Sequence, residues 1–444
     1  MDECIKSVHY LGSKARMLTQ IKECINDLNT NNGRVCDLFC GSAVVSEFLL
    51  NYYDVTAVDI QNYSKVYCEA RLTEGCKEID VDYIVQNIQE SKSRQQNLLD
   101  FFPILEYENE CMAELKNGNL LPIYEIIEKG SFYSFIEKLE YSKTSLSQGL
   151  ETVFRKTEAS IYARKKSLDT IITRYYGGLY FSFKQAIDID SIADYAFMQN
   201  EPLKSKVLAA LMSATTDVVN TIGKQFAQPL KVKNKDGSLK KALVHKIIAD
   251  RSMDVFEQFS KWLHYYIDRP HNNHKSNVIC SDYVEALKNF KPGDIEVIYA
   301  DPPYTRYHYS RYYHILETIC LHDNPTISTT FPNGKGGVSR AIYRNDRHQS
   351  PFCIKSEVSG AFEQLFKYAR EAQTSLVLSY SSYDKDSGAT PRLLSIDEII
   401  NLAENYYKKV EIISPGKFMH SRFNRQDNNY EINREAETLI MFRK

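Results

Sequence analysis

The tetrapeptide Asp301-Pro302-Pro303-Tyr304 constrains this chain more than any other feature, because it directly follows the apolar run Ile295 to Ala300. Such a run reads as a buried strand. Two consecutive prolines cannot extend it, since each lacks an N–H and fixes its φ, so the chain must leave the sheet as a stiff loop. An acid and an aromatic are then held rigidly at a strand's carboxyl end, where open α/β sheets bind their ligands. A lone Asp-Pro-Pro-Tyr can also be no more than a proline-stiffened turn, so its meaning depends on what else the chain places around such a sheet.

Upstream, Arg34-Val-Cys-Asp-Leu-Phe-Cys-Gly-Ser42 is a short apolar strand that breaks at glycine and enters an amphipathic helix, Val44 to Tyr52. A second strand follows, Val55 to Asp59. Strand, helix and strand in about 25 residues is the βαβ signature of a parallel sheet. Strand-like runs resume only at Asn277–Asp282 and Ile295–Asp301, so a long segment, about 80 to 270, interrupts the sheet. That segment is mostly helical in pattern. Asp236-Gly237, between two short runs, predicts a hairpin there. Asp268 to Ser276 reads as the linker back to the sheet and Asp323 to Ser350 as a long loop. Helix Gly360–Ala372, strand Ser375–Ser379, helix Ile396–Tyr407 and a closing strand pair, Lys409–Ile413 and Glu437–Phe442, complete an α/β class. The expected division is 1–80 and 276–444 for the two halves of the sheet domain and 81–275 for the insertion, in keeping with 444 residues.

Composition narrows the class further. With 43% apolar and 25% charged residues the chain is an ordinary globular protein. No run approaches the roughly 18 apolar residues of a membrane helix, and the opening MDECIKSVHY lacks the layout of a signal peptide, so a cytoplasmic protein with no membrane partner is expected. Ten cysteines without a CxxC pair read as reduced thiols, and no histidine spacing matches a metal site, so no metal is expected. The net charge of −2 does not advertise a polyanionic partner. A balanced total can still conceal a locally basic face.

The residue types at the proline turn suit one chemistry. A planar exocyclic amine such as adenine N6 is a poor nucleophile, because its lone pair is delocalised into the ring. Asp301 and the carbonyl of Pro302 can accept its two N–H bonds and aim the nitrogen at a methyl donor, with Pro303 stiffening the loop. Tyr304 would stack on the base, which must be flipped out of a duplex to be reached. At the first strand-to-helix turn, Asp37, Phe39, Gly41 and Ser42 form a second constellation. Glycine there lets the backbone approach a ligand, and Asp37 can hold an amino group. Asp59 ends the next strand at about the spacing of a ribose-binding acid. Tyr10-Leu-Gly12-Ser13-Lys14 precedes a helix expected near Ala15, with Lys14 suited to a carboxylate. Asp282 could accept from an adenine amino group, or could be a solvated loop acid.

Tyr10-Leu-Gly-Ser-Lys14, Asp37-Leu-Phe-Cys-Gly-Ser42, Asp59 and Asp301-Pro-Pro-Tyr304, in this order, resemble the motifs of the amino-type, Dam-like adenine-specific DNA methylases of the alpha class, the D12 type. The resemblance implies a seven-stranded Rossmann-like sheet dependent on S-adenosylmethionine, with a target recognition domain inserted between its halves. It implies that Tyr10, Lys14, Asp37, Phe39, Gly41, Ser42, Asp59 and Asp282 line the cofactor site. Asp301, Pro302, Pro303 and Tyr304 would form the catalytic loop. Cys40-Gly41-Ser42-Ala43 departs from the many relatives that carry a second glycine after the serine or threonine.

The expected partner is double-stranded DNA, in a restriction-modification or related defence setting that could include a cognate endonuclease. Lys231, Lys233, Lys235, Lys240 and Lys241 crowd the Asp236-Gly237 turn as a candidate phosphate clamp, or as lysines that blunt a sheet edge. Gln225 and Gln228, in Gly223 to Pro229, could read adenine bidentately, and Arg174 to Gly178 has similar types; both segments could equally be interhelical turns. Arg306, Tyr307 and Arg311 interleave cations and rings after the catalytic loop. Two alternatives remain open: an RNA adenine methyltransferase of the same fold, and an inactive DNA-binding specificity subunit.

Overall fold

The computed structural model describes residues 14–139, 145–163, 170–303, 306, 308–329, 337–381, 392–413 and 437–444. The chain divides into two compact units, Met1–Gly75 with Arg269–Ser310 and His348–Lys444, and Cys76–Asp268 with Arg311–Arg347. The second unit thus holds most of the expected insertion and also the segment 311–347.

The first unit is built on seven strands: β1 (Val35–Leu38), β2 (Val55–Asp59), β3 (Ser276–Cys280), β4 (Val297–Ala300), β5 (Ser375–Tyr380), β6 (Lys409–Ile413) and β7 (Thr438–Arg443). Their order is β3-β2-β1-β4-β5-β7-β6, all parallel except β7, which runs antiparallel to both its neighbours. Burial follows position in the sheet. The inner strands β1, β4 and β5 are buried at every residue, as a sheet covered on both faces requires, whereas the edge strands β3 and β6 are partly exposed.

Strand periodicity sorts these apolar side chains onto two faces. Cys36, Leu38, Val58, Ile298, Ala300, Leu376 and Leu378 pack under helices Tyr283–Asn289 and Val358–Glu371. Val35, Val55, Ala57, Val297, Tyr299 and Val377 pack under helices Leu18–Leu28 and Val44–Leu49. Helix Val358–Glu371 buries Val358, Ala361, Phe362, Leu365, Phe366 and Ala369, the stripe that 3.6-residue periodicity brings to one side. The first helix begins at Leu18, after a turn over 15–17.

The chain runs outward through β1, β2 and β3, then returns to place β4 on the other side of β1. The order therefore reverses between β1 and β4. At such a switch point the loops leaving the two carboxyl ends diverge to opposite faces and leave a crevice. Asp37, within β1, and Asp301, directly after β4, both sit at those carboxyl ends.

The second unit is helical, around a core that includes Phe101, Ile123, Phe132, Phe154, Phe183, Ile187 and Val232. Helix Phe183–Phe197 opens on a capping box in which Ser182 and Gln185 satisfy each other's backbone amides. The predicted hairpin is present as a single antiparallel bridge, Lys233 to Leu239, closed by an Asn234 N–H to Ser238 O bond of 2.9 Å. Gly237 has φ +86°, the conformation that selects glycine at this turn. Among the described residues no helix is long and apolar enough to cross a membrane.

Candidate active site

A cavity in the first unit is lined by residues from every expected motif that is described: Lys14, Phe39, Asp59, Asp282, Asp301, Pro302 and Pro303. Apolar walls come from Leu38, Val58, Ile60, Tyr63 and Tyr283. Tyr10, Gly12, Ser13, Tyr304 and Tyr307 lie outside the described residues.

The loop after β1 is shaped by its backbone. Phe39, Gly41 and Ala43 all have positive φ, at 70°, 53° and 62°. Phe39 and Cys40 both donate to the carbonyl of Val58, at 2.9 and 3.1 Å, which ties the loop to β2. Asp59 braces it further. One carboxylate oxygen accepts from Gly41 N–H at 3.0 Å and the other from Gln61 N–H at 2.9 Å. Two backbone amides thus fix the orientation of the Asp59 carboxylate at the cavity wall. Phe39 leans on Tyr283 and Phe352, with ring centroids 5.5 and 5.4 Å away. Ser42 is buried behind the loop.

Asp37 is almost fully buried and accepts a 2.5 Å hydrogen bond from the Ser46 hydroxyl. Burial raises its pKa to about 7, against the Ser46 bond, and the carboxylates of Asp301 and Asp59 add to the rise. Asp282 caps helix Tyr283–Asn289, accepting from Val284 N–H at 2.9 Å, while still lining the cavity. A capping acid is pinned in orientation, which the loop-acid reading of Asp282 left undecided.

Lys14 was expected to face a cofactor carboxylate. Its ammonium, 4% exposed, lies 2.7 Å from Asp301 and 2.7 Å from Glu437. Two carboxylates thus share one ammonium, with Lys14 and Glu437 buried and Asp301 half-buried. Burial raises the Asp301 pKa to about 6, opposed by Lys14 and reinforced by Glu437. Glu437, at the start of the closing strand pair, carried no motif and could not be found from sequence. Neither could His348, whose imidazole lines the cavity and is pushed below its usual range by burial.

The proposed nucleic-acid contacts fare differently from one another. The Gln225 side-chain oxygen accepts from Ala227 N–H at 3.0 Å, within its own turn, whereas Gln228 is exposed. Gly178 packs against the backbone of Gly130, and Arg174 pairs with Asn324, so that segment is held inside the unit. Lys235 and Lys241 are exposed and Lys240 half-buried, but Lys233 is 2.7 Å from Glu128. Arg306 is exposed and Arg311 half-buried.

The strand order, the braced glycine loop and the Asp-Pro-Pro exit at the switch point define an α/β protein with a seven-stranded, mostly parallel sheet and a cavity at its carboxyl ends. Comparison with known proteins narrows this. Residues 10–169 match the model of the D12 class N6 adenine-specific DNA methyltransferase. The chain is 23% identical to the modification methylase LlaI of Lactococcus lactis subsp. lactis, over 98% of this chain and 55% of that protein. It is 24% identical to the type II methyltransferase M.NlaIII of Neisseria lactamica, over 90% of this chain and 89% of that protein. Over 25% of its length it is 36% identical to the type II methyltransferase M.FokI of Planomicrobium okeanokoites, covering 15% of that protein. The chain thus spans about half the length of its Lactococcus relative.

Proposed function

We propose that this chain methylates adenine N6 in double-stranded DNA, with S-adenosylmethionine as donor, as the modification enzyme of a restriction-modification system. The observation that carries this reading is the half-buried carboxylate of Asp301, followed by a double proline at the switch-point crevice and sharing one cavity with Asp59 and Asp282. The donor set suits the cofactor: acids at 59 and 282 can accept from ribose hydroxyls and an adenine amine, and Phe39, Ile60 and Tyr283 supply apolar walls for a purine.

When bound, S-adenosylmethionine supplies the electrophilic methyl group. Asp301 and the Pro302 carbonyl accept the two amine N–H bonds and so return the nitrogen lone pair to the attack direction. A pKa of about 6 leaves Asp301 ionised at neutral pH, and Lys14 fixes its orientation. The prolines hold the carbonyl without rearrangement, so catalysis is mostly positioning. The helical unit, with its exposed Lys235, Lys241 and Gln228, is assigned the recognition of the DNA target.

Incubation with radiolabelled donor and duplex DNA or RNA, followed by nucleoside mass spectrometry, tests this. N6-methyladenine is expected in DNA from the parent and none from Asp301→Ala, whose donor affinity should stay within a few-fold. Label in RNA alone, in cytosine, or undiminished in Asp301→Ala would overturn the assignment.

A further inference from the structure

In the helical unit two arginines make no ion pair among the described residues, unlike Arg344 between them in sequence. Arg344 is fully matched, by Asp323 at 2.7 Å and Asp346 at 2.9 Å. Arg311 and Arg347 make no ion pair among the described residues, yet Arg311 Nε and Arg347 Nη1 are both buried and without a hydrogen-bond partner. Both guanidinium groups lie on one ring, at 5.7 and 4.6 Å from the centroid of Tyr343. That ring is anchored, since its hydroxyl donates to the Ala227 carbonyl and its edge meets His314 at 5.0 Å. Arg347 is anchored too, by a 2.6 Å bond from its Nε to the Arg344 carbonyl.

Two like charges gathered on one aromatic platform repel each other, and the partial desolvation of both adds to the cost. The repulsion is visible in Arg347, whose pKa is lowered first by burial and next by Arg311. Cation–π contact with Tyr343 offsets only about 0.5–2 kcal/mol per cation. An arrangement of this kind is favourable when an anion bridges the two guanidinium forks, and those forks match the tetrahedral oxygens of a phosphate. Position in the chain says which phosphate. Arg311 and Arg347 are each one peptide bond from a residue lining the Asp301 cavity, Ser310 and His348.

We propose that Arg311 and Arg347, on the Tyr343 platform, bind a phosphodiester of the nucleic-acid substrate. This rests on the reading of DNA as substrate. Each phosphate contact contributes about −0.9 to the slope of log affinity against log salt on B-DNA.

The test measures binding of a fluorescent duplex oligonucleotide to the full-length protein across a salt series. Arg311→Gln with Arg347→Gln should weaken binding at low salt by at least tenfold and flatten the slope by up to ~1.8, from two contacts. Donor affinity should not change. The melting temperature should not fall, because two half-buried, mutually repelling cations have been removed; a lower value would show a structural pair and overturn the proposal. Arg311→Lys with Arg347→Lys keeps the charge but not the fork, and should hold the parent's slope with severalfold weaker binding. A parent that binds no duplex sinks the DNA reading itself. A parent that binds with a steep slope, shared by the Gln pair, overturns the phosphate site alone. Inorganic phosphate at matched ionic strength should protect the parent from thermal unfolding less than the duplex does; equal protection would make this a free-phosphate site and overturn the proposal.

Discussion

Replacing Asp37 by Asn should stabilise the donor-free protein at neutral and alkaline pH. The folded-state pKa of about 7 stands about three units above the ordinary 3.8. At about 1.36 kcal/mol per unit, ionised Asp37 costs the fold on the order of 4 kcal/mol. The sign follows from proton linkage: a carboxyl whose pKa is raised on folding binds more protons in the native state, so stability falls as pH rises between the two pKa values. The penalty is absent below about pH 4 and complete above about pH 7. An amide keeps the acceptor for Ser46 but must itself be buried, at ~1–3 kcal/mol, so a net gain of about 2 kcal/mol is expected at pH 8. Denaturant melts of parent and variant from pH 4 to 8.5 measure the difference. It should be near zero or slightly unfavourable at pH 4 and grow with pH. A variant less stable than its parent at pH 8, or a difference flat across pH, would refute the reasoning.

The remaining predictions concern the other charges. Glu437→Gln removes a negative neighbour that raises the Asp301 pKa, so the acid limb of the methylation rate should move to lower pH while donor affinity holds. An unmoved limb would separate Glu437 from Asp301. Asp59→Ala should weaken donor binding by roughly 1.5–3 kcal/mol, the worth of a hydrogen bond to a charged group, as read by calorimetry. Replacing Lys235, Lys240 and Lys241 together by Ala should flatten the DNA salt slope by up to ~2.7, from three contacts, whereas Lys233→Ala alone should leave it unchanged because Glu128 already neutralises that cation.

The sheet was legible because its inner strands are short apolar runs with hard stops. β1 stops at Leu38, where Phe39 turns to positive φ and opens the loop that carries Gly41, and the double proline follows closely on the end of β4. The same locality explains why the predicted strands agree with the structure to within two residues or so, and why the turn at Asp236-Gly237 was visible. Helix starts were less sharp. The first one starts at Leu18 and not near Ala15, and Met17 at its N-cap supplies no side-chain hydrogen bond.

What sequence could not show is pairing across distance. Lys14 reads as a cation near a helix, suited to any carboxylate, and only the folded sheet, in which β5 separates β4 from the antiparallel β7, brings Asp301 and Glu437 to the same ammonium. Glu437 is one of 57 acids, with nothing in its neighbours to set it apart. Its effect on Asp301 arises because two residues 136 positions apart share one ammonium. Neutralising Lys14 would remove the cation that lowers the Asp301 pKa, so Asp301 should protonate above pH 6. On the proposed mechanism Asp301 would then lose its role as an acceptor near neutrality, and the triad would set the pH at which that residue can serve.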